Sequence, residues 1–569
     1  MTRTFTDYPF TWRRPPATRP RGDRETLDSP VIVGAGPVGL AVALGLARHG
    51  IASVVLEADE SVCTGSRAIC ISRRSLEIID QLGALPAFLA KGLAWTGGRS
   101  YYRNAEVLRF AMPHDRSQRL PPMINIQQYY IEQFLLDACA AHPRSIDIRW
   151  QSRVTAIEPF ADGAALTIAT PAGEYRLRTP WVVGCDGARS LVREAAGLPL
   201  EGTRYEGRYV IADIHLKSAR PVERLAWFDP PSNPGSTILM HRQPDDIWRI
   251  DYQLRDDEDP EQACRPRNVI PRIESHLRMI GESDDWSPIW ISLYKANALT
   301  LNRYVQGRLL LAGDAAHLVP IFGVRGANSG IEDAHAMAWR LALVMKGAAP
   351  PALLESYSQE RVHAARENLK AGIKSTEFMS PPSFAFDLMR TAALSLAVGH
   401  PWVRSLINPR QTTPAAYPQD AARLPAQESQ FRGGPAPGCV LQEVPLRSLN
   451  GPPNGPPNGP PNGPPNGPLH LTQLLSPAFT LMLWAEPPPE LEPCITALQR
   501  QGIALRIVRL AAEAADTQVL DTEGHARRAY HVDRGGAYLV RPDGHVLARW
   551  QRLVASEVLL MIERELRHE

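Results

Sequence analysis

The chain has 569 residues, enough for roughly two to four domains that each bury a core of their own. Lys and Arg number 62 against 60 Asp and Glu, with no basic run interleaved with aromatics, so nothing in the charge points to a nucleic-acid or acidic-membrane partner. The seven cysteines are scattered, with no C-x-x-C and no metal-ligand spacing, which indicates a reducing compartment and no metal site.

Residues 1–28 form a polar tail holding TWRRPPATRPRGDRE. It lacks the apolar core of a signal peptide, and no run of 18 or more apolar residues occurs in the chain, which places the expected home in the cytoplasm. The tail is expected to lie over a domain surface or to stay mobile.

From Val31 to Glu57 the sequence reads VIVGAGPVGLAVALGLARHGIASVVLE. Val31, Ile32 and Val33 form an unbroken apolar run of the kind found in buried parallel strands. Gly34, Gly36 and Gly39 follow as a GxGxxG turn that opens an Ala- and Leu-rich helix. Such a turn lets backbone approach a pyrophosphate, while the helix N-terminus supplies free N–H groups and a positive dipole. A second apolar run, Ser53 to Leu56, ends on Glu57, placed to accept from ribose hydroxyls. Together these elements indicate dinucleotide binding, and they leave FAD and NAD(P) equally possible.

Beyond Glu57, Leu76, Ile79 and Leu82 fall at helical spacing, with Gly83 as C-terminal cap. Arg67 precedes that helix in a loop on the phosphate side, or is a solvated loop charge. Ile126 to Ala141 is an amphipathic helix with Gln127 and Gln128 at its start. Arg153 to Arg178 alternates like a hairpin region with ADG and PAG turns. It leads into WVVGCDGARSLVR, a second strand-to-turn module, whose Asp186 either accepts from a cofactor sugar or forms a turn with Gly187.

Tyr209 to Leu254 carries the clearest antiparallel signals: YVIADIHL, RLAWFDP, STILMHRQ and IWRIDYQL. In the last, Trp248, Ile250 and Tyr252 share one face and Arg249, Asp251 and Gln253 the other. This sheet reads either as the wall of a substrate pocket or as an ordinary half-exposed sheet. Leu309 to Leu311 forms a buried strand ending at Gly313-Asp314, and the Gly-rich loop Gly323–Gly326 then starts a long helix. Asp314 sits where open α/β sheets bind ligands, and the helix N-terminus, reinforced by Arg325, faces an anionic group there. His317 reads as structural more readily than as a catalytic base.

Helices are expected over Leu353 to Met379 and from Pro381 to about Ile407, interrupted at Gly399-His400-Pro401. Four GPPN tetrapeptides in succession occupy Asn450 to Pro468, where proline at half the positions excludes helix and central strand and leaves a solvated linker or loop expansion. Residues 469–569 read as a small α/β domain of thioredoxin-like order, with only Cys494 where a dithiol would stand.

GAGPVG, GCDGARSLVR and LLLAGDAAH, in this order, resemble the motifs of the FAD-dependent aromatic hydroxylases, among them para-hydroxybenzoate, phenol and 3-(3-hydroxyphenyl)propionate hydroxylases. The likeness covers about residues 29 to 410. APGC and YLVRPDGHVLARW look like the redox-dead thioredoxin-like domain of the phenol-hydroxylase branch, with the GPPN array inserted in its leading loop.

The resemblance implies an α/β fold: a Rossmann-type FAD-binding domain over 29–200 and 300–412, an inserted antiparallel substrate domain over 201–299, a linker over 413–468, and a thioredoxin-like domain over 469–569. Gly34, Gly36, Gly39 and Glu57 would hold the ADP part of FAD, joined as cofactor-binding residues by Pro37, Val38 and Ala58. Arg67 and Gln128 match positions at the FAD phosphates or ribityl chain. Asp186, with Gly187, would serve both FAD and the nicotinamide nucleotide. Asp314, beside Gly313, would bind ribityl hydroxyls, with Gly326, Ala327 and Asn328 at the flavin ring. Arg249 matches an arginine near the moving flavin, and Pro320 belongs at the reacting ring. His241, Arg242 and Tyr252 are candidates to orient a phenolate or carboxylate.

Where many relatives have Pro-Pro-Phe-Gly-Gly-Gln-Gly, this chain has Pro320, Ile321, Phe322, Gly323, Val324, Arg325 and Gly326. Ile321 replaces a proline beside the reacting ring, and Arg325 resembles the basic residue of the para-hydroxybenzoate branch. The implied reaction takes electrons from NADPH or NADH and uses O2 to hydroxylate a phenolic substrate through a flavin C4a-hydroperoxide. Epoxidation, Baeyer–Villiger insertion, a polycyclic substrate, or a non-catalytic flavin-binding role are the alternatives. The family suggests a homodimer.

Overall fold

Val31–Val33 is a fully buried strand at the heart of a six-stranded sheet in the computed structural model, which describes residues 3–20, 22–255, 257–320, 322–407, 413–448, 468–511, 519–521 and 523–568. Its neighbours are Val182–Gly184 and Ser53–Leu56, both parallel to it, followed outward by Leu309–Leu311 and Ile146–Arg149. The inner strands are short and apolar because helices cover both faces, while the edge strand Ile146–Arg149 carries Asp147 and Arg149. Helix Pro37–Arg48 lies against helix Gly326–Met345, and the contact is close enough that a Cβ at Gly45 would sit 2.7 Å from the Ala338 Cβ.

The expected hairpin region is a four-stranded sheet of Arg153–Phe160, Gly163–Thr170 and Gly173–Thr179, completed by Arg24–Thr26 from the N-terminal tail. The rest of that tail lies across the protein. Tyr8, Phe10 and Trp12 pack around Tyr129, and the Tyr8 hydroxyl donates to Asp213 at 2.6 Å.

The inserted sheet is larger than the expected 201–299. It has eight strands, and Gly97–Tyr102 and Ala105–Ala111 extend its edge beside Arg224–Phe228. One face packs on helix Pro266–Met279 through Trp248, Ile250, Tyr252 and Met240. The other face meets Phe322, Met379 and helix Phe384–Gly399 through Tyr209, Ala226, Phe228 and Leu239.

The C-terminal sheet likewise reaches back before the expected boundary at 469. Pro445–Ser448 pairs antiparallel with Pro468–His470 and then with Val519–Leu520, so the sheet includes a strand placed in the expected linker. The GPPN tetrapeptides join those two paired strands, and they lie outside the described residues, as does Ile321. This unit docks on the first through shared apolar packing of Trp339 and Leu353 with Phe479 and Trp550. A buried ion network seals the joint: Arg541 holds Glu360 at 2.6 Å and Asp543 at 2.9 Å, and Arg340 holds Glu360 at 2.7 Å. Among the described residues no helix is long and apolar enough to cross a membrane.

Candidate functional site

The glycine turn shows a different demand at each position. Gly34 has φ +102°, and a Cβ there would lie 2.6 Å from the Cys185 carbonyl oxygen. At Gly39 a Cβ would fall 1.9 Å from the Gly34 oxygen, so helix and turn can meet only through glycine. Gly36 is different: a Cβ would meet no protein atom within 4 Å, although the residue caps a helix begun by Pro37. That space lies before the free N–H groups of helix Pro37–Arg48, where a pyrophosphate fits. Val38 points the other way, wedged against Gly313 and Gly330, so its part is packing.

Glu57 closes the turn. Its carboxylate accepts from the Ala35 N–H at 2.6 Å and the Asp59 N–H at 2.9 Å, with Ala58 also donating. Burial pushes the carboxyl up and these backbone donors oppose the shift. A carboxylate has about four lone-pair sites, so these three bonds leave one for a ribose hydroxyl.

The loop Ser66–Ala68 is held from two sides. The Gln128 side-chain oxygen accepts from Arg67 N at 3.2 Å and Ala68 N at 3.1 Å, while its amide donates to Glu132 at 2.8 Å. Arg249 donates to the carbonyl of Arg67 at 3.1 Å and to that of Ser66. Gln128 and Arg249 therefore act through this loop, leaving the exposed Arg67 side chain as the group offered to the cleft. Asp314 answers it from the end of strand Leu309–Leu311. Its side chain is open to the cleft, yet the surrounding protein is dense enough to push the carboxyl up, against the pull of His317 and Arg67.

Asp186 is engaged by its own helix, accepting from Ser190 Oγ, Leu191 N and Val192 N at 2.5, 2.7 and 3.2 Å. Gly187 follows at φ +76°, a left-handed conformation that leads the chain into the turn at Ala188 and Arg189. His317 is buried, with Nε2 2.8 Å from Asp333, which also accepts from Gly313 N and Arg361 Nε. Burial alone would raise Asp333, but Arg361 and His317 outweigh it and hold the carboxyl at about 2. This hub fixes the Gly313-Asp314 turn to helix Gly326–Met345.

That helix starts beside strand Cys70–Ser72. Asn328 accepts from Ser72 N at 2.9 Å and donates to the carbonyls of Cys70 and Val324, which makes it a pin rather than a free ligand. At Gly326 a Cβ would meet nothing within 4 Å, so the first turn, with Ala327, faces open space. Arg325 is buried and donates to Asn368 at 3.0 Å. Val324, at φ +59°, occupies a left-handed conformation that a β-branched residue rarely adopts. Pro320 is buried against helix Leu353–Met379, 3.4 Å from where a Gly372 Cβ would lie.

On the inserted sheet the two faces separate the expected substrate residues. Arg249 pairs in register with His241 and, on the other side, with Asp213, so these three face the cofactor domain. Tyr252 does not join them. It pairs with Ile238 and lies in the apolar core against helix Pro266–Met279, because residues of odd and even number on one strand point to opposite sides. Its expected role in orienting substrate is therefore corrected to packing. Arg242 donates to the Arg220 carbonyl at 2.9 Å and belongs with Tyr252 on parity. Burial, with Arg224 and Arg249 nearby, pushes His241 down to about 3, so its imidazole is neutral. Asp251, buried on the same face, is pushed up to about 7. Arg224, Asp251 and Asp213 were not singled out in the sequence, although a charge at the parity of Ala226 and Phe228 in RLAWF marks Arg224 as facing inward with them.

A glycine turn with open space at Gly36, an acid at Glu57, and a second strand end at Asp314 define a dinucleotide-binding flavoprotein. A family model described as "FAD binding domain" matches residues 29–371, and the chain belongs to that family, with FAD as its cofactor. A 3-(3-hydroxy-phenyl)propionate/3-hydroxycinnamic acid hydroxylase of Mycolicibacterium smegmatis is 30% identical over 351 residues, 62% of this chain and 61% of that protein. The enzyme of the same name from Klebsiella pneumoniae is 29% identical, with 62% of each chain covered. The matches thus span about three fifths of these relatives. Among solved structures, the flavin-dependent monooxygenase PieE in complex with FAD and substrate superposes with TM-score 0.76 at 21% identity, covering 95% of this chain and 99% of its own. Aklavinone-11 hydroxylase with FAD and aklavinone gives 0.72 at 22%, with the same coverage. These two show that the mixed α/β fold is that of flavin monooxygenases.

Proposed function

We propose that the protein is a monooxygenase that uses NAD(P)H and O2 to hydroxylate a phenolic aromatic substrate. The carrying observation is that the cofactor cleft meets a closed, largely apolar sheet face holding a few buried polar groups, rather than open solvent. The names of the curated relatives support the same reading.

Bound FAD supplies the redox chemistry: reduction by the nicotinamide and activation of O2. The Gly36 space and the helix N-terminus receive the pyrophosphate, Glu57 the ribose, and Arg67 and Asp314 the chain between phosphates and ring. Helix Gly326–Met345 presents its N–H end to the ring, and the Asp333 hub keeps that end in place. Tyr209, Ala226, Phe228, Leu239 and Phe322 exclude water, which protects a reactive oxygen donor from wasteful breakdown. Asp251 is the group on the sheet face able to hold or accept a substrate proton, and the neutral His241 offers a hydrogen bond beside it.

Three finer readings accompany this one. The C-terminal unit is a thioredoxin-like domain without a working dithiol: its strands run in the order Leu505–Ala511, Phe479–Leu483, Ala537–Val540, Val546–Trp550, with only the first pair parallel. Cys494 is buried and bonds to the Ala555 carbonyl. The chain forms a homodimer, supported by the exposed Phe384, Leu388, Met389, Trp402 and Leu406 on and just after helix Phe384–Gly399; light scattering tests it. Seven free cysteines fit the cytoplasm.

The deciding experiment follows NADH and NADPH oxidation by the FAD-loaded protein across phenolic acids, simple phenols and polycyclic phenols, with H2O2 recorded in parallel. A compound that speeds oxidation without matching peroxide, and gains one oxygen, is the expected result. Stimulation matched throughout by peroxide, or none at all, overturns the hydroxylase reading.

A further inference from the structure

The sheet face turned toward the cofactor cleft carries a buried cation, Arg224, that no carboxylate contacts among the described residues. Arg224 opens strand Arg224–Phe228 and is 4% exposed, yet among the described residues no hydrogen bond or ion pair engages its guanidinium. Four more deeply buried arginines behave differently. Arg249, Arg340, Arg361 and Arg541 each hold a carboxylate at 2.6 to 2.8 Å. A guanidinium so little exposed that holds no carboxylate is uncommon, so its retention calls for an explanation.

The register places this charge. Arg224 pairs with His241, and His241 with Arg249, so all three lie on one face. Ala226, Phe228 and Leu239 share that face and form the apolar cluster with Phe322. Opposite stand Cys70, Trp95 and Val324, packed together at the start of helix Gly326–Met345. Arg224 and Asp251 both act electrostatically on the Cys70 thiol, which ties the two sides into one compartment.

Other polar groups of this compartment are unsatisfied as well. His241 Nδ1, Asp251 Oδ1 and Trp95 Nε1 are buried with no hydrogen-bond partner. With its carboxyl pushed up to about 7, Asp251 does not supply a full counter-charge at neutral pH. A cleft of about 540 Å³, lined by Thr96, Phe110, Val222 and Glu223, opens beside Arg224, and Phe110 and Val222 continue inward to the cluster around Trp95. A charged donor, an apolar slot beside it and an opening are thus present together.

We propose that Arg224 receives the carboxylate of an aryl-carboxylic acid and thereby determines which substrates the enzyme accepts, with His241 and Trp95 offering further polar contacts. The planar fork of guanidinium donors matches a carboxylate in two-point fashion, and the apolar residues around it suit an aromatic ring. The assignment deepens the hydroxylase reading and rests on it for the identity of the ring, but the anion site itself does not depend on turnover.

The test uses 3-phenylpropionate and 3-phenylpropanol, which share ring and chain and differ in charge; neither carries a phenol. Binding to the oxidised, FAD-loaded protein is measured by calorimetry for wild type, Arg224→Lys and Arg224→Met. The acid is expected to bind about 10- to 100-fold more tightly than the alcohol to wild type. Arg224→Met should lose that preference, leave the alcohol unchanged and melt no lower than wild type, because it removes an unpaired buried charge. Arg224→Lys should keep part of the preference. Equal binding of acid and alcohol, binding of neither, an undiminished preference in Arg224→Met, or a marked fall in its melting temperature would each overturn the proposal. If the acid preference depends on Arg224 while no phenol stimulates NAD(P)H oxidation, the hydroxylase reading fails and the anion site stands.

Discussion

Arg249 and Asp213 face each other across neighbouring strands as a two-point pair, Nε to Oδ1 at 2.8 Å and Nη2 to Oδ2 at 2.9 Å, with both side chains at most 2% exposed. The same guanidinium reaches out of the sheet to the carbonyls of Ser66 and Arg67. One arginine therefore joins the inserted sheet to the loop that presents Arg67 to the cofactor. Burial would lower Arg249, but Asp213 outweighs it and raises it above the ordinary value.

Replacing Arg249 by Met should leave Asp213 as a buried unpaired charge and destabilise the protein by about 3–5 kcal/mol. Arg249→Met/Asp213→Leu should regain much of that stability and still hold FAD weakly, because loop Ser66–Ala68 has lost one of its two clamps. Chemical denaturation and the ratio of bound flavin to protein separate the two effects.

At the glycine turn, Gly36→Ala and Gly39→Ala should behave in opposite ways. The first places a methyl in space empty of protein, so melting of the flavin-free protein stays within about 0.5 kcal/mol of wild type while FAD affinity falls. The second collides with the Gly34 carbonyl and should prevent stable folding. Equal loss of FAD and of fold in both variants would show that the Gly36 space is not the phosphate seat.

Tyr252→Phe should leave kcat/KM for any substrate within about twofold of wild type and leave stability unchanged or slightly raised. The hydroxyl is buried on the helix-covered face, with Arg272 as its polar neighbour, so its removal touches nothing on the face turned to the cofactor cleft. A tenfold loss of kcat with unchanged KM would contradict the placement.

Asp333 links the fold to acid pH. Its folded-state value of about 2 lies below that of an unfolded aspartate, so its stabilisation is fully present above about pH 4 and is lost as pH falls toward 2. The shift amounts to roughly 2–3 kcal/mol at neutral pH. Asp333→Asn should lower stability at pH 7 and flatten its dependence between pH 4 and 2, followed by denaturant titration at fixed pH steps.

Local patterns carried the parts of the site that depend on a single stretch of chain. Val31 to Glu57 reads as strand, turn, helix, strand and acid because each signal is written in adjacent residues, and the structure places Glu57 against Ala35 in that order. The alternation in IWRIDYQL likewise separates Arg249 from Tyr252 on sequence alone, although only helix Pro266–Met279 shows which face is covered. Asp186 illustrates the reverse, since nothing local in GCDGARS shows that this acid accepts from Ser190 and Leu191 of the helix that follows it.

What the sequence determined by itself was the cofactor class and the approximate order of the domains, because phosphate-binding turns and buried parallel strands are local and short. Tertiary structure alone decided that Gln128 and Arg249 clamp one loop between them, that a strand before the GPPN tetrapeptides joins the C-terminal sheet, and that Arg224 lies buried with no carboxylate in contact among the described residues. Those are relations between residues tens to hundreds of positions apart. No periodicity records them, because whether a buried charge is paired depends on which strands the folded chain sets side by side.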